Sequence, residues 1–135
     1  MVGDESALPA IGASLEAIEP GRQAQVVAVV DDARCEIDLP SRGDVSITWL
    51  HREGADDIEA LLPDTVSAMT FPAGSFDVFV HGEAAEVRAV RKHLLAKRGV
   101  TADSASISPY WRRTYTDEAW RKIKRNWVAD QANDV

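Results

Sequence analysis

Residues 24–32 read AQVVAVVDD. Four of the seven residues before the aspartates are valine (Val26, Val27, Val29 and Val30), a β-branched type that favours strands. A strand with one wet face would alternate apolar and polar residues, whereas this run is nearly continuous. It therefore reads as a central strand of a parallel sheet, buried on both faces.

The flanking segments agree. Residues 6–18, SALPAIGASLEAI, place Leu8, Ile11, Leu15 and Ile18 on one helical stripe. Ser6 is the expected N-cap, and Pro9 falls in the first turn, where a missing N–H costs little. EPGR (19–22) ends that helix, CEIDLPSRGD (35–44) is a polar loop, and VSITWLHR (45–52) is the next strand. DDIEALLPDTVSAM (56–69) is helical but interrupted at Pro63. FPAGSF (71–76) turns into the strand DVFVHG (77–82). The helix EAAEVRAVRKHLLAKRG (83–99) follows, with Val87, Val90, Leu94 and Leu95 inward and Gly99 closing it. SASIS (104–108) is a weaker last strand. TDEAWRKIKRNWVADQ (116–131) is a final helix capped by Thr116, with Trp120, Ile123 and Trp127 as its stripe. Strand and helix alternate throughout. The expected fold is α/β, a three-layer parallel sheet with helices on both faces, forming one domain over residues 1–135.

Bulk properties narrow the function. The net charge is −7, which argues against a general nucleic-acid binder. Residues 88–125 nevertheless hold eleven of the fifteen Lys and Arg against three acids, so one end of the molecule is basic. That is either two solvated helix faces or a surface that attracts an anion. No apolar run is long enough to span a bilayer. The single cysteine, Cys35, cannot form an internal disulfide, and a cytoplasmic location is expected. His51, His81 and His93 are scattered without metal-ligand spacing, so no metal site is expected. No catalytic triad is suggested by spacing either.

In parallel sheets ligands bind outside the carboxyl ends of the strands. VGDESALPA (2–10) is a strand end, a turn and a helix start. Its first strand is expected to be short and frayed. The turn offers a helix N-terminus for a pyrophosphate, with Asp4 and Glu5 turned away or stabilising the dipole, although local chemistry alone favours a simple helix cap. Arg52, just past a strand, can grip a phosphate in bidentate fashion or lie on the surface. Asp31 and Asp32 can accept from ribose hydroxyls or simply form a turn. Gly82 sits at a tight junction where a ligand can approach the backbone, and Glu83 suits a helix start. Tyr110, Trp111, Arg112 and Arg113 lie just after the last strand, where rings can stack and guanidiniums bind anions.

GDESALPAI (3–11), ITWLHREG (47–54), FVHGEAAEVRAVRKHLLAKRGV (79–100) and YWRRTYTDEAW (110–120) occur in the order found in siderophore-interacting proteins. The resemblance covers nearly the whole chain and points to the C-terminal half of that family. It implies a nicotinamide-nucleotide domain like that of ferredoxin–NADP reductases, working with a flavin-binding barrel that is expected to be absent from this chain. NADPH or NADH would pass a hydride to FAD held by a separate flavoprotein or flavin domain. Reduced flavin would then deliver single electrons to Fe(III) in a siderophore. By the same resemblance Gly3, Asp4, Glu5, Ser6, Ala7, Leu8 and Pro9 form the pyrophosphate turn, and Arg52 sits where related reductases hold the ribose 2′-phosphate. Gly82 and Glu83 lie where nicotinamide meets flavin, and Tyr110, Trp111 and Arg112 resemble the terminal aromatic motif near both rings. Three residues depart from the pattern, the first mildly, with Ser6 where the family usually has threonine. Pro109 stands where a glycine commonly precedes Tyr-Trp-Arg, and Thr114 where a glycine often follows the arginines.

The expectation is half of an oxidoreductase; the alternative is a degenerate, non-catalytic interaction module of the same fold. An uncovered barrel-facing surface would favour self-association. Arg112 and Arg113, with Arg121 and Lys124, can steer an anionic ferric siderophore.

Overall fold

The computed structural model describes residues 1–135. Five strands, β1 (Val2–Asp4), β2 (Gln23–Val30), β3 (Asp44–His51), β4 (Val78–Glu83) and β5 (Ala105–Trp111), form one sheet in the order β3-β2-β1-β4-β5. Every neighbouring pair is parallel. The helices are α1 (Leu8–Glu16), α2 (Leu61–Ala68), α3 (Ala84–Lys97) and α4 (Asp117–Asp130).

The valine run is apolar on both sides because β2 serves two cores. Val27 and Val29 face α2 and α3, packing with Leu62, Val66, Val80, Val87, Val90 and Leu94. Val26, Ala28 and Val30 face α1, packing with Leu8, Ile11 and Leu15. Each buried valine contributes about 1.5–3 kcal/mol relative to an exposed one. β2 is an interior strand, but the centre of the sheet is β1. That strand is three residues long and wholly buried, and it is not frayed. The Met1 amino group donates to the Gln25 carbonyl at 2.8 Å, and Val27 N–H donates to the Met1 carbonyl at 3.0 Å. β1 is thus paired on both sides, with Val2 opposite Val27 and Val80.

Several sequence expectations are corrected. Helix α1 starts at Leu8 with Ala7 at the N-cap and no side-chain cap, so Ser6 lies in the preceding turn. Ser6 turns back instead, because the Asp4 carboxylate competes for its N–H and hydroxyl. Pro63 does not interrupt α2. It occupies the third helical position, where its N–H would have no intrahelical partner. The residues before it form a turn in which Asp57 Oδ1 accepts from Glu59 and Ala60 N–H at 3.0 and 3.2 Å. Thr116 caps α4 as read, accepting from Ala119 N–H at 3.2 Å. Strand β5 runs on through Trp111, so Tyr110 and Trp111 lie on the strand rather than after it. Pro109 is accommodated because β5 is an edge strand, where one ladder donor can be lost.

Helix α4 is held against α3. Arg88 pairs with Asp134 at 2.6 Å and Asp130 at 3.1 Å, and its guanidinium lies 5.3 Å from the Trp127 ring centre. No helix is long and apolar enough to cross a membrane.

Candidate functional site at the strand-order switch

The chain steps outward from β1 to β2 and β3, then returns to the other side of β1 with β4 and β5. The switch in strand order therefore lies between β1 and β4. Their carboxyl ends carry Asp4 and Glu83 and lead into α1 and α3. A crevice opens at such a point because the two crossovers leave in opposite directions.

Asp4 is the centre of this edge and is 1 % exposed. Its Oδ1 accepts from Ser6 N–H (2.9 Å) and from the Ser6 hydroxyl. Its Oδ2 accepts from Glu83 N–H and from Trp111 Nε1–H, both at 2.8 Å. One carboxylate thus ties together the ends of β1, β4 and β5. Two glycines make this possible. A side chain on Gly3 would meet Ala7 Cβ at 2.6 Å and the His81 carbonyl at 2.7 Å, so only glycine lets the turn fold back this tightly. Gly82 has φ +147°, and a Cβ there would lie 2.7 Å from Asp4 Oδ2. The space beside Gly82 is filled by the Asp4 carboxylate, rather than open to a ligand as the sequence suggested.

Glu83 caps α3, accepting from Ala85 N–H (2.7 Å) and Glu86 N–H (3.1 Å) through Oε2. Its Oε1 accepts from Arg113 N–H at 3.1 Å. The Arg113 guanidinium reaches Glu86 at 3.4 Å, Glu59 at 3.5 Å and Glu83 at 3.7 Å, and it lies 5.5 Å from the Trp111 ring centre. Arg113 therefore faces inward. Arg112 instead stacks on Tyr115 at 4.5 Å and approaches Trp127 at 5.9 Å.

Glu86 was not singled out from the sequence. It is 1 % exposed, and its Oε2 has no hydrogen-bond partner. Burial pushes its carboxyl up to about 7; the charges of Glu83 and Asp4 add to this, while Arg113 and Arg52 oppose it. The readable signal was its position: Glu86 lies four residues before Val90 on the inward stripe of α3, where an acid is unexpected.

On the other side of β1, Arg52 is held by two carboxylates. Its Nη1 donates to Glu5 Oε1 (2.6 Å) and Asp31 Oδ1 (2.9 Å), and its Nη2 to Glu5 Oε2 (3.0 Å). Burial disfavours the Arg52 charge, but Glu5 and Asp31 more than reverse this and hold its proton more tightly than usual. Asp32 is turned away, paired with Arg34 at 2.7 Å. Glu5 is thus paired with Arg52 beside the start of α1. That start has no side-chain cap, whereas α3 and α4 are capped by Glu83 and Thr116. Asp4, Glu5, Ser6, Arg52, Gly82, Glu83, Trp111 and Arg113 are thus brought to one edge. Ala7 and Leu8 are buried in the α1 core, and Pro9 is exposed in its first turn.

The register of β5 against β4 slips at this edge. Gly82 faces Pro109 and Glu83 faces Trp111, leaving Tyr110 as an extra residue. The bulge sends Trp111 inward to Asp4 and leaves Tyr110 40 % exposed. Tyr110 packs 4.7 Å from His81, which stacks on Phe79 at 4.1 Å. Burial lowers the His81 pKa, and its Nε2 lies 3.0 Å from Ser106 Oγ.

Thr114, where the resemblance led to an expectation of glycine, has φ +67° and is the only non-glycine residue with positive φ. A β-branched side chain is strained there. Thr114→Gly is expected to raise stability by about 0.5–1 kcal/mol, the relief of strain exceeding the entropy glycine adds to the unfolded chain. A chemical-denaturation midpoint that falls would contradict this. Two shallow depressions of about 290 and 300 Å³ lie near Thr101, at the opposite end of β5 from the switch point.

The family described as siderophore-interacting protein matches residues 1–114. A protein of Mycobacterium tuberculosis H37Rv is 39% identical over 145 residues, spanning 98% of this chain and 50% of its own length. Ferric vibriobactin reductase ViuB of Vibrio cholerae is 32% identical over 133 residues, 97% of this chain and 48% of its own. Among solved structures, the siderophore-interacting protein SipS of Aeromonas hydrophila superposes with a TM-score of 0.83 at 25% identity, covering 96% of this chain and 51% of SipS. A siderophore utilization protein of T. fusca gives 0.76 at 30% identity, covering 86% and 45%. The chain spans about half the length of the curated relatives it matches.

Proposed function

Because the chain belongs to the siderophore-interacting protein family, we propose that it is the nicotinamide-nucleotide-binding half of a ferric-siderophore reductase system. The observation that carries this reading is the uncapped start of α1 at the β1–β4 switch, flanked by Arg52 and Asp31. Pro9 carries no N–H and Leu8 N–H already reaches the Glu5 carbonyl at 3.4 Å, so the helix dipole, together with the Ala10 N–H, is what favours a pyrophosphate there. The Gly3 turn brings the backbone close without a side chain in the way. Trp111 and Arg113 lie on the other side of Asp4, beside the start of α3.

A dinucleotide held there would supply a hydride to a flavin on a partner flavoprotein or flavin domain, for single-electron reduction of siderophore-bound ferric iron in the cytoplasm. What this chain contributes is binding and orientation. Asp4 fixes the three strand ends, and Glu83 orients Arg113 and closes the start of α3 to a second anion. Tyr110, exposed beside the bulge, offers a ring to the partner face. Arg112 and the basic face of α4 are the surface available to an anionic siderophore.

One feature favours the alternative of a non-catalytic interaction module. Both arginines at the edge, Arg52 and Arg113, are already paired with carboxylates. Titration with NADH and NADPH, followed by tryptophan fluorescence, separates the two readings. Saturable binding with a Kd below about 1 mM supports the nucleotide domain. A folded protein that binds neither nucleotide supports the interaction module.

A further inference from the structure

We propose that Asp31, held by Arg52, makes this domain select NADH over NADPH. The inference rests on the nucleotide-binding reading and goes on to name the dinucleotide. Arg52 is the residue that a 2′-phosphate would seek, yet it is the least available cation at the edge. Its side chain is 14% exposed, and Glu5 grips it through both carboxylate oxygens while Asp31 takes a third contact. A 2′-phosphate reaching Nη1 must displace a bidentate carboxylate and then lie beside two negative charges. Unfavourable like-charge contacts of this kind are how a site rejects a competing ligand.

A ribose 2′-hydroxyl meets the opposite situation. Asp31 follows the last residue of β2, the strand next to β1, and an acid at that position in this class of fold accepts hydrogen bonds from ribose hydroxyls. Its side chain is 73% exposed. Arg52 holds Oδ1, which leaves Oδ2 to accept from a ligand hydroxyl. Arg52 is then a positioning residue. It sits just past β3, and its N–H donates to the Val30 carbonyl at 3.0 Å, anchoring it beside the end of β2. The next residue repeats the link, with Glu53 N–H donating to the Asp31 carbonyl at 2.9 Å. The acceptor and its clamp are thus fixed by backbone as well as by charge.

The test is parallel equilibrium titration of the full chain with NADH and NADPH, for the wild type and for Asp31→Asn and Glu5→Gln. The wild type is expected to bind NADH about tenfold more tightly. Asp31→Asn should narrow the ratio mainly by weakening NADH. Glu5→Gln should narrow it by freeing Arg52 and strengthening NADPH. Both positions are exposed, and the ratio of two ligands on one variant is insensitive to partial loss of folded protein. NADPH binding as tightly as NADH, or a ratio unchanged in both variants, overturns the proposal while leaving the nucleotide-binding reading intact. Binding of neither dinucleotide by the folded wild type removes both.

Discussion

Asp4→Ala is expected to cost about 3–5 kcal/mol, a large share of the about 5–15 kcal/mol that holds a domain together. The substitution leaves Glu83 N–H and Trp111 Nε1–H, both now 2.8 Å from Asp4 Oδ2, without an acceptor, and releases Ser6 as well. Each stranded buried donor costs about 1–3 kcal/mol. The loss is also topological, because the ends of β1, β4 and β5 share no other side-chain link of this kind. Thermal unfolding should fall by roughly 10 °C or more for a chain of this size. Asp4→Asn keeps one acceptor oxygen but sets an amide against the remaining donors, so its loss should be intermediate. Trp111→Phe alone should cost less, and in the Asp4→Ala background it should cost almost nothing further. A Tm for Asp4→Ala within about 2 °C of wild type would contradict this role.

Glu86→Gln is expected to act in the other direction, increasingly as pH rises from about 4.5 to about 7 and fully above that. The folded protein holds the Glu86 proton up to about 7, against an ordinary value of 4.5, chiefly because the carboxyl is buried. Between those values the folded state binds more protons than the unfolded state, so stability falls as pH rises through the window. Below it the group is protonated in both states and contributes nothing. Above it the full penalty of a buried charge is present. The groups facing Glu86 are Glu83 on β4, Asp4 on β1, Arg52 beyond β3 and Arg113 beyond β5, with Glu59 sharing Arg113. Allowing for the two arginines and for solvent at the mouth of the crevice, the neutral variant should be more stable than wild type by about 2 kcal/mol at pH 8. The two proteins should converge near about pH 4. Thermal unfolding of both across this range checks the sign; a variant less stable than wild type at pH 8 would contradict it.

The parallel sheet was legible because one strand had to satisfy two cores. Only a run apolar at both parities, Val26 to Val30, can face α1 with one set of residues and α2 and α3 with the other. Helix α3 was legible for a similar reason, since its stripe and Gly99 are local signals. The length of β5 was not. Pro109 argues for an ending, and only the edge position of the strand, a property of the whole sheet, makes it tolerable. The site was half legible. Strand-end residues were correctly expected at one edge, because strand–helix alternation fixes which ends align. Which way their side chains point was not, because an acid at a strand end reads alike as cap, turn or ligand group. Asp4 is decided by Trp111, 107 residues away, and Arg52 by Glu5, 47 residues away. Pairings of that range leave no local pattern. Glu86 carries a local signal, an acid on an apolar stripe three residues past the Gly-Glu junction.

A nicotinamide dinucleotide is proposed to bind at the β1–β4 switch. Backbone amide chemical shifts recorded while NADH is added test this most directly. The largest changes are predicted at Glu5 to Leu8, at Asp31 and Arg52, and at Trp111 to Arg113, saturating together with a Kd below about 1 mM. No change in a folded protein at that concentration would contradict the account, as would changes confined to the opposite end of the sheet around Gly74, Arg98 and Thr101.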